Sequence, residues 1–145
     1  MTLLNWALIL LLAPQVSAPG NGLPQVLSPE YKTPPTSVKA GQKAEITLRF
    51  KLVKGFAITT MPPMTLKLQP PAGVKLEKSE FTTPDKDPKS KDEYYVDLPE
   101  IKIPATASAA GTYTIPGQLT YFFCSKDEGF CSKQTLDVKV PFKAE

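Results

Sequence analysis

Lys43-Ala44-Glu45-Ile46-Thr47-Leu48-Arg49-Phe50-Lys51-Leu52 decides the fold. Ala44, Ile46, Leu48, Phe50 and Leu52 fall on one side of an extended chain, and Lys43, Glu45, Thr47, Arg49 and Lys51 on the other. A period of two marks a half-buried strand with one face in water, the habit of antiparallel sheets. Gly41 before it and Gly55 after it punctuate the run. Thr65-Leu66-Lys67-Leu68 alternates in the same way and ends at Pro70-Pro71. The stretch 70–73 reads as a turn, after which Val74-Lys75-Leu76 resumes the alternation.

Further along, Thr82 to Glu93 holds no apolar residue except two prolines and reads as a solvated loop. Strands are expected at Tyr94–Leu98 and Glu100–Ile103, and the small residues from Ala105 to Gly111 read as a connection. Gln118 to Cys124 is an aromatic-rich strand, and Thr135 to Phe142 places Leu136, Val138, Val140 and Phe142 on one face. These two runs pair naturally as a hairpin. Proline makes up 16 of the 145 residues and is scattered from Pro14 to Pro141, so no long helix fits uninterrupted. The expected fold is all-β, an immunoglobulin-like antiparallel sandwich of about seven to nine short strands.

Composition narrows the chemistry. The chain has no histidine, which removes Ser-His-Asp and Cys-His catalysis and His-ligated metal sites. Two cysteines cannot make a Cys-only zinc site within one chain. Asp85, Asp87, Asp92 and Glu93 could approach a calcium ion, but Lys86, Lys89 and Lys91 interleave them and the Asp-x-Asp-x-Asp-Gly pattern is missing. No metal, cofactor or small-molecule substrate is expected. The net charge of +3 alternates in sign along the chain, and Arg49 is the only arginine. That balance reads as solubility, with no nucleic-acid partner.

The first residues look like an address. Leu3 to Leu12 is an apolar run of about ten residues, where a membrane span needs about 20. It fits a secretory signal covering residues 1–20, with cleavage near 18–20 after Ala18 or Gly20. The mature domain would be 21–145, monomeric, and periplasmic or secreted, where disulfides persist.

Cys124 closes one strand of the hairpin and Cys131 opens the next. Facing residues there have Cα atoms about 4.5–5.5 Å apart, and disulfide geometry wants about 4.4–6.8 Å. A Cys124–Cys131 disulfide is expected. As a staple over an eight-residue loop it would contribute about 2.5 kcal/mol, among the smaller values of the chain-entropy relation. As an exchanging bond it would need one sulfur open to an attacking thiolate. Lys126 and Lys133 favour a thiolate, while Asp127 and Glu128 oppose it. Spacing alone leaves both readings open.

The run Leu119-Thr120-Tyr121-Phe122-Phe123-Cys124-Ser125-Lys126-Asp127-Glu128-Gly129-Phe130-Cys131, followed by Thr135 to Pro141, resembles the amino-terminal periplasmic domain of the thiol:disulfide interchange protein DsbD. Leu98 to Pro104 with the Ala-rich residues up to Gly111 is similar to that family's Leu-Pro strand and loop. Pro71-Ala72-Gly73-Val74 with Ser79-Glu80-Phe81 is similar to its turn and cap loop. The resemblance spans roughly 35–142. It implies an exported domain that passes electrons between partner dithiols, possessing thiol-disulfide oxidoreductase activity. Cys124 and Cys131 would be the exchanging pair, with Cys131 attacked. Phe81 would shield the disulfide as a cap aromatic, with Glu80 as an acidic cap residue. Ser79 stands where the family often has a second carboxylate, and Phe56 and Ile58 fall where it places tyrosines. The implied partners are thioredoxin-like or membrane-embedded thiol-disulfide oxidoreductases. The alternative is a non-catalytic binding or structural module with an inert stapling disulfide.

Overall fold

A computed structural model describes residues 23–32 and 38–145. The expected signal segment lies outside the described residues. Nine strands follow one another: β1 (Leu27–Lys32), β2 (Lys43–Leu52), β3 (Phe56–Ile58), β4 (Thr65–Leu68), β5 (Val74–Leu76), β6 (Glu80–Thr82), β7 (Ile101–Ala107), β8 (Gly111–Ser125) and β9 (Cys131–Ala144). They form two antiparallel sheets packed face to face, a β-sandwich. One sheet has the order β1-β2-β7-β5. The other is built around β8: one edge pairs with β9 along fourteen facing positions, and the other takes β4 and then β3, with β6 beyond β4. Among the described residues no helix is long and apolar enough to cross a membrane.

The period-two pattern sets which side chains meet. Ile46, Leu48 and Ile103 from the first sheet are fully buried, as are Leu66, Ile115, Leu119, Tyr121, Phe123 and Val140 from the second. β2 follows the alternation of its sequence, with Lys43, Glu45 and Lys51 exposed. Prolines in the hairpin are placed where they cost no bond between β8 and β9. The Ser125 amide's bond to the Phe130 carbonyl and the Lys139 amide's bond outward to the Tyr31 hydroxyl set the parity. By that parity, Pro116 on β8 and Pro141 on β9 stand at positions whose nitrogen points away from the partner strand.

Three expectations need correction. Ala105–Ala107 is not a connection: it completes β7, and Ala105 and Ala107 are buried between β2 and β5. A central strand with neighbours on both sides has room for small side chains. Tyr94–Leu98 is not a strand. Only Tyr94 bridges, to Thr59, because the amide of Val96 turns to donate to Asp87 Oδ2 at 2.7 Å. The loop after Thr82 is solvated except at its start. Thr83 is buried, and its hydroxyl accepts from the Met64 amide at 2.9 Å.

Candidate functional site

Cys124 and Cys131 face each other at the last pair of the β8–β9 ladder and form a disulfide, with Cα atoms 4.0 Å apart. The loop between them closes tightly. The Ser125 amide donates to the Phe130 carbonyl at 2.8 Å, and the Gly129 amide donates to the Ser125 carbonyl at 3.0 Å. Gly129 has φ of 71°, a left-handed conformation that a glycine adopts without strain. The Ser125–Phe130 bond also fixes the alternation. It makes 125/130 the hydrogen-bonded pair, so 124/131 is the close, non-hydrogen-bonded one, where a cross-strand disulfide fits.

Parity separates the two faces of this end of the sheet. On β8 the odd residues Leu119, Tyr121 and Phe123 point into the core, so Cys124 points outward, and β9 places Cys131 outward too. Phe56 and Phe130 stand on the inward side with Phe123. Their rings meet it edge-on at 5.8 and 6.1 Å and close the core beneath the disulfide. On the outward side Ala57 of β3 is Cys124's other neighbour, so Ala57, Cys124 and Cys131 form one row across three strands. The next outward row holds Thr59, Phe122 and Lys133.

The two sulfur-bearing residues differ in exposure. Cys124 is buried and Cys131 is exposed. The side of β3 away from β8 is closed by residues 93–95. Tyr95 donates its amide to the Ile58 carbonyl at 3.0 Å, and the Thr60 amide donates to the Glu93 carbonyl at 2.8 Å. Lys126 donates its amide to the Gly55 carbonyl at 2.9 Å, which ties the cysteine loop to the β2–β3 turn. Charge near the site is mixed. Asp92 is held below the usual carboxylate range by the Ser90 hydroxyl and the Tyr94 amide, helped by the positive charge of Lys126.

The expected cap does not lie over this site. Phe81 is on β6, in register with Leu66 and through it with Leu119, so its ring belongs to the inward face and is buried there. Cys124 is on the opposite face, five residues further along β8, roughly 16 Å at about 3.3 Å per residue. Phe81 instead forms part of a groove of about 330 Å³ with Lys78, Glu100 and Lys102, and the Lys78 ammonium stands 4.9 Å from its ring centroid. Glu80 is exposed and stands in register with Lys67, which faces Gln118, six residues from Cys124 on the same face. The backbone carbonyl of Ser79 accepts from the Leu68 amide at 2.7 Å. The structure therefore brings together Cys124 and Cys131 and leaves Phe81 and Glu80 apart from them. Phe56 and Ile58 do reach this end of the sheet, on β3, where Phe56 faces Ser125 and Ile58 faces Phe123 on the inward side.

Sequence reasoning missed Ala57, Phe122 and the 93–95 stretch as neighbours of the disulfide. Phe122 could have been found, since it stands two residues before Cys124 on one strand and so shares its face. Ala57 and 93–95 come from distant turns with no local signal. Among the described residues no cluster of three or more His, Cys, Asp or Glu side chains could hold a metal. Neither protein-family models nor curated proteins yield a match to this chain.

Proposed function

We propose that this domain exchanges its Cys124–Cys131 disulfide with partner dithiols in an oxidising, periplasmic or secreted setting. One observation carries the reading: an exposed Cys131 is bonded to a buried Cys124 on the outward face of a ladder that fourteen facing pairs already hold. A bond there adds little to chain closure, about 2.5 kcal/mol at most on the entropy relation. It does leave one of the two bonded residues exposed, and exchange requires access to one sulfur.

The step balances with a dithiol as reductant. A partner thiolate attacks Cys131 Sγ. The new bond joins the partner sulfur to Cys131, the old bond breaks, and Cys124 leaves as a thiolate that takes up a proton. The partner's second thiol, deprotonated, then attacks the partner's own first sulfur and releases Cys131. Two electrons and two protons have passed to the domain, and the partner carries the disulfide. In the reverse direction Cys124 resolves the mixed disulfide. Thioredoxin-like or membrane-embedded oxidoreductases supply or accept the electrons.

The second reading is an inert staple in a binding module. The position of Phe81 on the opposite face and of Glu80 six residues along the sheet favours it, since the pair lacks the shield that the DsbD resemblance implies. Equilibration with glutathione buffers separates the two. A reduction potential between about −120 and −270 mV is expected for exchange, and one below about −300 mV would mark a staple.

A further inference from the structure

We infer that the open edge of β9 from Cys131 to Asp137 is a docking edge, where an extended segment of the partner dithiol protein adds as a strand beside the attacked sulfur. This rests on the exchange reading and goes beyond it by assigning the surface and the direction of approach.

Thiolate attack on a disulfide displaces the leaving sulfur from behind. Cys124, the leaving residue, is on β8. The attacker of Cys131 Sγ must therefore come from the side of β9 that faces away from β8. Attack on Cys124 would instead come over Ala57 and β3, whose far edge residues 93–95 close.

Among the described residues, the side facing away from β8 is where β9 pairs with no strand from Cys131 to Asp137. Its odd residues aim their N–H and C=O groups off the free edge, as two of them demonstrate. The Lys139 amide donates to the Tyr31 hydroxyl at 3.2 Å, and the Glu145 amide donates to the Val38 carbonyl at 2.7 Å. The chain thus ties off its own edge from Lys139 onward, with Val38 bridging Ala144. Among the described residues nothing bonds the amides of Cys131, Lys133, Thr135 and Asp137. Among the described residues, four N–H and four C=O groups remain open over about 20 Å of strand. An unpaired edge with alternate side chains beside it is the template for strand addition, in which main-chain bonds give affinity and neighbouring side chains give specificity. Lys133, exposed and without an ion pair among the described residues, would select an acidic side chain on the incoming segment.

Thr135→Pro tests this. It removes an amide that bonds nothing among the described residues and sets a ring against any added strand, while β8–β9 pairing keeps its own bonds. Thr135→Val is the control, because it loses the side-chain contact to Thr120 but keeps the amide. Reduction of the oxidised proteins is timed with dithiothreitol and with reduced thioredoxin as the probe. The expected result is a Thr135→Pro protein reduced at least tenfold more slowly by thioredoxin but within twofold of wild type by dithiothreitol, with Thr135→Val like wild type in both. Equal thioredoxin rates in Thr135→Pro and wild type would overturn the docking edge, as would equal slowing in the Val variant. Wild type reduced by dithiothreitol but no faster, per thiol, by thioredoxin would also overturn it and leave exchange standing. Failure of both reductants would overturn exchange, and the docking edge with it. If Thr135→Pro does not fold, hydrogen exchange decides, on wild-type protein trapped through Cys131 with a single-cysteine thioredoxin. Amides 133, 135 and 137 are expected to be protected at least tenfold, and unchanged exchange there would overturn the proposal.

Discussion

Phe81 and Cys124 are both buried, both on the same five-stranded sheet, and on opposite faces of it. The inward face is continuous: Leu66, Leu119, Tyr121 and Phe123 are each fully buried, and Phe81 joins them from the far strand. The outward face is mostly solvated and becomes covered only at the disulfide end, where Ala57 and Cys124 are buried beside an exposed Cys131. Burial therefore has two meanings in one sheet. Inside it is core packing that holds the fold. Outside it shelters one sulfur of a bond whose other sulfur-bearing residue meets solvent.

The largest expected effect breaks the two faces apart. Phe81→Ala should destabilise the domain by about 3–5 kcal/mol, the range for a large aromatic removed from a core. Urea denaturation measures it. The rate of disulfide reduction by dithiothreitol, taken in conditions where the variant is folded, should stay within twofold of wild type. A Phe81→Ala protein of near-normal stability whose disulfide is reduced much faster would restore Phe81 as a shield and undo the separation of faces.

Removing the outward bond should do the opposite. In a Cys124→Ala/Cys131→Ala protein the loss on unfolding should be about 2.5 kcal/mol or less, because the relation between loop size and closure entropy gives little for eight residues. The β8–β9 ladder should persist, read as unchanged far-ultraviolet circular dichroism. A loss well above 4 kcal/mol would assign the bond to the scaffold, next to Phe123 and Phe130, and favour the staple.

Much of this division was legible in the chain. Lys43–Leu52 is strand β2 from end to end because both faces of its alternation are met, one by the core and one by water. The hairpin and its disulfide were legible because Cys124 and Cys131 close the two runs that pair. β1 escaped notice because Leu27 to Lys32 mixes Pro29 with charged residues, and it becomes a strand only by lying against β2. β3 escaped because three residues carry no period. The misplacement of Phe81 has a different origin. Flanking residues show that a phenylalanine will be buried, but the face it joins is set by register with Leu66 and Leu119, some 15 and 38 residues away in the chain. Register between distant strands is decided by the assembled core and leaves no mark in a local window.

The smallest effect sharpens the boundary between the faces, at Tyr121. This residue is three positions from Cys124 but inward and fully buried. Its hydroxyl donates to Gln134 Oε1, and Gln134 Nε2 donates to the Pro24 carbonyl at 3.2 Å. Burial pushes the phenol up to about 12, against the pull of backbone hydrogen bonds at Leu27 and Val26. An unfolded tyrosine titrates near 10. Between these values the folded protein keeps a proton that the unfolded chain has released. Stability that is fully present below about pH 10 must therefore fall as pH rises toward 12. Tyr121→Phe should cost about 0.5–1.5 kcal/mol at neutral pH, the net worth of one hydrogen bond. It should also flatten the alkaline decline, leaving the part due to Tyr31 and Tyr95, which burial raises as well. Denaturation at pH 8, 10 and 11.5 measures both effects. Parallel declines in the two proteins would mean that water reaches the Tyr121 hydroxyl, and the inward face would then be open directly beneath the disulfide. A flattened decline with unchanged dithiothreitol kinetics at pH 8 would place the boundary between the core and the outward disulfide within three residues of one strand.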